Sequence, residues 1–458
     1  MRTRVCMILF LLAFTSTFTS SAAFAQHEDH AGDPAPARLF EGLGSLHHPI
    51  TTASPEAQRF FDQGLTLVYA FNHDEAVRSF RRAAELDPKA AMPWWGVALA
   101  LGPNYNDDVN LAREKAAFDA IQKAKSLAGA GTEIERAYIT TLAVRYTDDP
   151  KPDLKKLATD YSRAMKTLSQ RFPDDPDAAT IYAESMMNLR PWGLWNLDGT
   201  PSDGTLEILA VLESVLARYP DHIGANHYYI HAVEASPHPA WALPSAHRLA
   251  TLVPAAGHLV HMPSHIYSRV GDFEAAEKAN ADAVAVDRAY LETTGALGIY
   301  PAMYYSHNLH FLAYSAMQAG NFATAVKASD ALAENIRTRA QGMPDSMTAG
   351  FTSFKWDVLG RFRKYQELLS SPAPPPDALF LQILWHYSRC SALAAMRRTQ
   401  EAETEQKVFA SYVAKTPADQ PFGFNSSKSV FDLANSVLDA RIAESRGDRK
   451  AAIASLAK

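Results

Sequence analysis

A chain of 458 residues, 47% hydrophobic and 21% charged, has the composition of an ordered protein with more apolar surface than one ordinary core needs. Its formal charge of −6, with no concentrated block of Lys or Arg, argues against nucleic acid as a partner. Two cysteines, Cys6 and Cys390, exclude a disulfide framework and a thiolate zinc site, so any metal must be held by histidine, carboxylate or water.

Residues 1–25 read as a secretory signal: Arg2 and Arg4, an apolar run from Val5 to Phe14, then Ala23-Phe24-Ala25 before Gln26. The run is too short for a membrane span, and cleavage after Ala25 predicts a secreted or periplasmic protein that keeps only Cys390. Residues 26–50 are expected to form a flexible segment, of which Gln26 to Arg38, with His27, His30 and two prolines, is the most polar part.

From residue 51 to 458 the pattern is repetitive. The string from Phe71 to Pro88 resembles the second helix of a tetratricopeptide repeat, with small residues Ala76 and Ala83 where two antiparallel helices touch and Pro88 ending the unit. Counting three residues on from each such proline starts units at Ala91, Ile223 and Gly257; the last two lie 34 residues apart, the length of one repeat. The unit from Gly257 has Gly271-Asp272 at its turn and Ala276 and Ala283 on its second helix. The next begins near Ser306 and turns at Gly320-Asn321, after an insertion from Tyr290 to Tyr305. A second irregular stretch runs from Arg190 to Pro201, where Trp192 and Trp195 could form a lid. Weaker helix pairs follow, Pro372 to Pro376 reads as a stiff connector, and the last repeat stops short at Lys458, where either the last turn frays or the sequence is truncated. Almost no period-2 alternation appears, so the expected fold is all-α: a tetratricopeptide-type helical-hairpin solenoid with irregular insertions.

Five strings carry a closer likeness: Phe60-Phe-Asp-Gln-Gly64, Trp94-Trp-Gly, Gly102-Pro-Asn-Tyr-Asn106, Gly224-Ala-Asn-His-Tyr-Tyr-Ile-His-Ala-Val-Glu234 and Gly257-His-Leu-Val-His-Met-Pro-Ser-His-Ile-Tyr267. Together they resemble a family of exported bacterial tetratricopeptide repeat proteins over nearly the whole mature chain. The resemblance implies the fold and the histidine motifs and brings no reaction with it.

Ten of the sixteen histidines fall between residues 222 and 310. In such repeats the second, fifth and ninth places of the first helix face the concave groove, a narrow stripe at 100° per residue. Those places hold Gly224, His227 and His231 in one unit, His258, His261 and His265 in the next, and His307, His310 and Tyr314 in the third, with Glu234 extending the first stripe. Glu184 takes the ninth place of the preceding unit. Neutral imidazole is the commonest metal ligand, and neighbouring helices lie close enough for such stripes to share an ion. The candidate ligands are therefore His227, His231, Glu234, His258, His261, His265, His307, His310 and Glu184. This sulfur-free set suits zinc, copper or iron, with a carboxylate accepting from the far nitrogen of a ligand imidazole as the usual support. Pro263 interrupts the second stripe; it either deletes a helical hydrogen bond or starts the helix, which would leave His258 and His261 on an entry loop.

Arg269, Tyr267 and Trp192 are candidate contacts for a small-molecule or peptide ligand in the groove. Arg269 is equally explained by the helix dipole, and the tyrosines of this region by repeat packing. His47, His48, His73, His222, His238, His247 and His386 read as ordinary solvated or hydrogen-bonded histidines. Neither H-E-x-x-H nor G-x-S-x-G occurs, so no catalytic residue is assigned. Two functions remain: a metal-binding repeat protein, with or without enzymatic activity, and a scaffold for peptides or proteins whose histidines form a structural polar network.

Overall fold

The computed structural model describes residues 37–107, 111–417, 420–423 and 425–457, and among them the protein is all-α. The strands described are a two-residue pair, Pro421–Phe422 with Asn425–Ser426. The expected signal segment and residues 26–36 lie outside the described residues. The described residues form two compact units, one ending at Ala296 and the other beginning at Leu297.

The first unit runs through α1 (Pro55–Tyr69), α2 (His73–Leu86), α3 (Met92–Leu101), α4 (Leu111–Leu127), α5 (Glu133–Leu142), α6 (Leu154–Arg171) and α7 (Pro176–Met187). It continues through α8 (Thr205–Arg218), α9 (Ile223–Glu234), α10 (Leu243–Leu252), α11 (Gly257–His261), α12 (Pro263–Val270) and α13 (Phe273–Thr294). The second unit holds α14 (Tyr305–Ala319), α15 (Phe322–Arg339), α16 (Asp345–Thr352), α17 (Phe354–Arg361), α18 (Tyr365–Leu369), α19 (Leu379–Ala395), α20 (Thr399–Val413), α21 (Ser427–Ser445) and α22 (Arg449–Leu456).

One local device recurs at the hairpin turns. Gly271, Gly320 and Gly447 each take a left-handed backbone conformation, with φ of 88°, 85° and 83°, which ends a helix without penalty. The next residue, Asp272, Asn321 or Asp448, then caps the following helix by accepting from the backbone N–H three residues on. Turns this short force the two helices to lie antiparallel side by side. The contact needs small residues, and Ala76, Ala83, Ala276, Ala283 and Ala325 are all fully buried.

Pro263 is accommodated without a loop. Met262 keeps helical angles (φ −51°, ψ −38°) between α11 and α12, and Pro263 becomes the first residue of α12, where its missing N–H costs nothing. His258 and His261 therefore stand on a helix.

Two features depart from simple neighbour-to-neighbour stacking. Residues 37–50, within the segment expected to be flexible, have no regular secondary structure but are tied to the helices: Phe40 N–H donates to Gln63 Oε1 at 2.8 Å, and His48 Nδ1 lies 2.7 Å from Asp177 Oδ2. In addition, α1 packs on α9, more than 150 residues away in the chain, as well as on α2 and α3. Gly224 permits that approach, because a Cβ there would lie 2.5 Å from Cδ1 of the Tyr69 ring. Gly224→Ala should therefore destabilise the protein by about 1–3 kcal/mol. Denaturant melts would check this, and an unchanged midpoint would mean that the tip of α1 moves aside freely.

A candidate metal centre on α9, α11 and α12

The helix α9 is capped by His222, whose Nδ1 accepts from Ala225 N–H at 3.1 Å, and every residue from Ile223 to Val233 is buried. A helix buried on all sides has no solvated face for polar groups, so each of its imidazoles must find a partner or an ion. His227, His231 and Glu234 follow at spacings of four and three and share one face.

His227 Nδ1 lies 2.6 Å from the carbonyl oxygen of Tyr69. A carbonyl can only accept, so Nδ1 carries the proton and Nε2 presents a lone pair. His231 Nδ1 donates to Glu234 Oε1 at 2.7 Å, which likewise frees its Nε2. That Nε2 is buried and has no hydrogen-bond partner among the described residues. His258, from α11, brings its Nε2 to 3.2 Å from that of His227. One potential ligand nitrogen from each of His227, His231 and His258 lies within 4.8 Å of those of the other two.

Glu234 bridges onward. Its Oε2 accepts from His265 Nδ1 at 2.6 Å, and His265 Nε2 stands 2.9 Å from His261 Nε2. Both carboxylate oxygens thus receive an imidazole N–H, and Glu234 fixes the tautomers of two histidines. Burial pushes its carboxyl up, but the pull of His265 and the hydrogen bonds from His231 and His265 hold it below the usual carboxylate range. Burial lowers His231 and holds His227 well below the usual imidazole range, which keeps both neutral and able to ligate.

The walls are aromatic. Phe71, in the α1–α2 turn with a left-handed φ of 55°, places its ring 4.6 Å from His227, 5.3 Å from His258 and 5.8 Å from His231 between centroids. Tyr105 and Trp192 pack 5.0 Å from each other and 5.3 and 5.6 Å from His231. Trp192 also has positive φ, 57°, and its segment is latched to α9 by Trp195 Nε1–H, which donates to Ala232 O at 2.7 Å. Strained backbone at two residues flanking the same imidazole is stored energy spent on holding an enclosure.

Glu184, His307 and His310 are carried by other helices. Glu184 is buried, but Asn188 donates to it and its main charged neighbour is Arg145, so it belongs to a different polar cluster. His307 and His310 lie on α14 of the second unit, where the His307 ring is tilted against that of Phe311 with centroids 4.5 Å apart and burial between Phe351 and Phe354 brings His310 down to about 4. Arg269 is exposed and donates to the Ser236 carbonyl, and Tyr267 is half-buried beside His247. His48, His222 and His386 are hydrogen-bonded to carboxylates, as bland histidines are, although His48 and His386 are buried and His222 is partly buried. His73 is also buried, and burial takes it down to about 3.

Tyr69, Phe71, Tyr105 and Asn280 carry no sequence signal of a role here. Tyr105 stands inside one of the five strings, Gly102-Pro-Asn-Tyr-Asn106, and Phe71 opens the repeat-like string that ends at Pro88. Asn280, a buried amide in the middle of α13, is the kind of residue that marks a polar partner.

No protein-family model matches the sequence, and no curated protein matches it. Among solved structures the chain is similar to yeast Tom70, with 11% identity, 88% of this chain and 92% of that chain covered and a TM-score of 0.30. It is similar also to the human IFIT1 dimer with m7Gppp-AAAA, at 12% identity, 89% and 90% coverage and a TM-score of 0.39. A third is the P58(IPK) TPR domain, at 13% identity, 82% and 98% coverage and a TM-score of 0.20. The likeness extends to helical architecture alone, and no residue's role crosses from these proteins.

Proposed function

We propose that the protein binds a transition-metal ion through His227, His231 and His258. The observation that supports this most directly is the buried Nε2 of His231, which has no hydrogen-bond partner among the described residues while Glu234 holds its Nδ1 proton. A neutral imidazole nitrogen buried without a partner costs about 1–3 kcal/mol, and an ion offsets that cost. The nitrogen spacing fits as well: two imidazoles sharing a tetrahedral ion with bonds of about 2.0–2.1 Å stand about 3.3 Å apart, against 3.2 Å between His227 and His258.

The donor set narrows the metal. The grouped ligand atoms come from His227, His231 and His258 and include no carboxylate oxygen, which favours zinc or copper over an iron centre of two histidines and one carboxylate. Three protein nitrogens leave a coordination position for solvent, the condition for activating water. Export, expected from the signal-like residues 1–25, belongs to the same reading.

Purified without a histidine tag from the periplasm, the chain should begin at Gln26 and carry near-stoichiometric metal by elemental analysis. His231→Ala should lower affinity at least about 100-fold, beyond the effect of losing an outer partner. Metal-free protein whose melting temperature ignores added Zn²⁺ and Cu²⁺ would leave the scaffold reading, in which the same histidines are a structural network.

A further inference from the structure

We infer that Trp192 is a gate through which the ion enters and leaves, swinging on the turn 190–193, and that a hydrogen bond from Trp195 sets how often it opens. This rests on the metal reading of the triad and adds a separate observation, the uneven burial of the walls.

His227, His231 and His258 are at most 2% exposed, so an ion from solvent reaches them only if a covering group moves. Tyr69, Phe71, Tyr105 and Tyr228 are buried and packed on all sides. Trp192 differs. Its ring lies 5.6 Å from that of His231, yet it is partly exposed, and its neighbours Arg190 and Pro191 are exposed with it. A segment packed on one side only opens at a lower free energy than one packed on both.

The backbone supplies a hinge and two ties. The hinge is the turn in which Gly193 N–H donates to the Arg190 carbonyl at 3.1 Å and Trp192 takes a φ of 57°. A bulky residue held at positive φ is strained, and opening the turn releases that strain, which brings the open and closed positions closer in energy. One tie is the Trp192 backbone N–H, which donates to the Tyr105 hydroxyl. The other is Trp195 Nε1–H, 2.7 Å from the carbonyl oxygen of Ala232. That carbonyl lies in the last turn of α9, where no helical N–H follows to pair with it, so the indole satisfies it only while the segment lies on α9.

Both flanks of the turn are held. Leu189 and Arg190 N–H groups donate to the carbonyls of Met186 and Met187 upstream. Downstream, the Leu194 carbonyl accepts from Ser202 N–H at 2.9 Å and from Thr205 Oγ–H at 2.6 Å. Movement is thereby confined to residues 190–193, with Trp195 as their downstream anchor. A gate that moves aside and returns touches the free and the loaded site alike, so it changes the rates in both directions and leaves the affinity where it was.

Release and capture of Zn²⁺ by the full-length mature protein, followed in stopped flow by competition with a chromogenic chelator, test the gate. Trp195→Phe keeps the bulk of the ring and removes the donor. It should speed both directions by about three- to tenfold, the worth of one net hydrogen bond, with the dissociation constant changed less than about twofold and helix content by circular dichroism unchanged. Trp192→Ala should speed both release and capture at least about tenfold. Release faster with capture unchanged would overturn the gate and make Trp192 a wall that holds the bound ion. Wild-type rates in both variants would overturn it too, by placing the route elsewhere and leaving the triad reading intact. Wild-type protein that binds no Zn²⁺ would overturn the metal reading itself and the gate with it.

Discussion

Glu234→Ala is expected to abolish tight metal binding and to lower the stability of the metal-free protein by about 2–4 kcal/mol. The carboxylate accepts from His231 at 2.7 Å and from His265 at 2.6 Å, and both rings are buried. Removing it leaves two buried N–H donors unpaired, each at about 1–3 kcal/mol, less the desolvation cost that the buried carboxylate no longer carries. Without an acceptor to hold the Nδ1 protons the two rings can also exchange tautomers, so Nε2 is no longer reliably a lone pair. Glu234→Gln separates these effects: its amide oxygen can serve only one imidazole, and its stability loss should be about half that of the alanine variant. Denaturant melts of both variants, run with and without Zn²⁺, give the two quantities separately. If Glu234→Ala binds metal as tightly as the wild type, the carboxylate is not what orients the ligands.

The parts of this centre that were legible in the sequence are those set by local rules. Helical period puts His227, His231 and Glu234 on one face, and the glycine–Asx turns with their buried alanines fix where each hairpin begins, so the all-α architecture follows from spacing alone. Pro263 was ambiguous because sequence cannot say whether a break in the hydrogen-bond ladder ends a helix; Met262 keeps helical angles, and the stripe survives the break. Other parts depend on contacts between distant segments. The carbonyl that fixes His227 comes from Tyr69, 158 residues away, and only the approach of α1 to α9 at Gly224 brings it there. Phe71 shows no sign in its neighbours of the left-handed backbone that turns its ring onto three imidazoles. The hydrogen bonds of Glu234 to two histidines are likewise outside the reach of spacing, which reports the face a carboxylate occupies and not what its oxygens accept.

Asp177→Ala is expected to be among the most destabilising single changes in the first unit, at about 3–5 kcal/mol, because it strips one acceptor from three buried donors. Asp177 lies 2.7 Å from His48 Nδ1, 3.1 Å from His222 Nε2 and 2.5 Å from the Tyr69 hydroxyl. It therefore joins the N-terminal segment, the cap of α9 and the end of α1, and through Tyr69 it supports the carbonyl that orients His227. Burial raises Asp177, but hydrogen bonds from His222 and His48 overcome it and hold the carboxyl below its usual range. Burial lowers His48, and its hydrogen bond to Asp177 overcomes that in turn, leaving the imidazole above its usual value. Asp177 thus contributes its stability in full above the unfolded carboxyl value near 3.9, and loses it as the pH falls below that toward the folded value. His48 contributes in full below the unfolded imidazole value near 6.5, and loses it as the pH rises through the raised folded value. The stability difference between wild type and Asp177→Asn should accordingly be largest between about pH 4 and 6.5 and shrink on both sides. Urea melts of both proteins from pH 3 to 9 check this. A difference constant across that range would show that Asp177 acts through neutral hydrogen bonds and not as the anion of a buried ion pair.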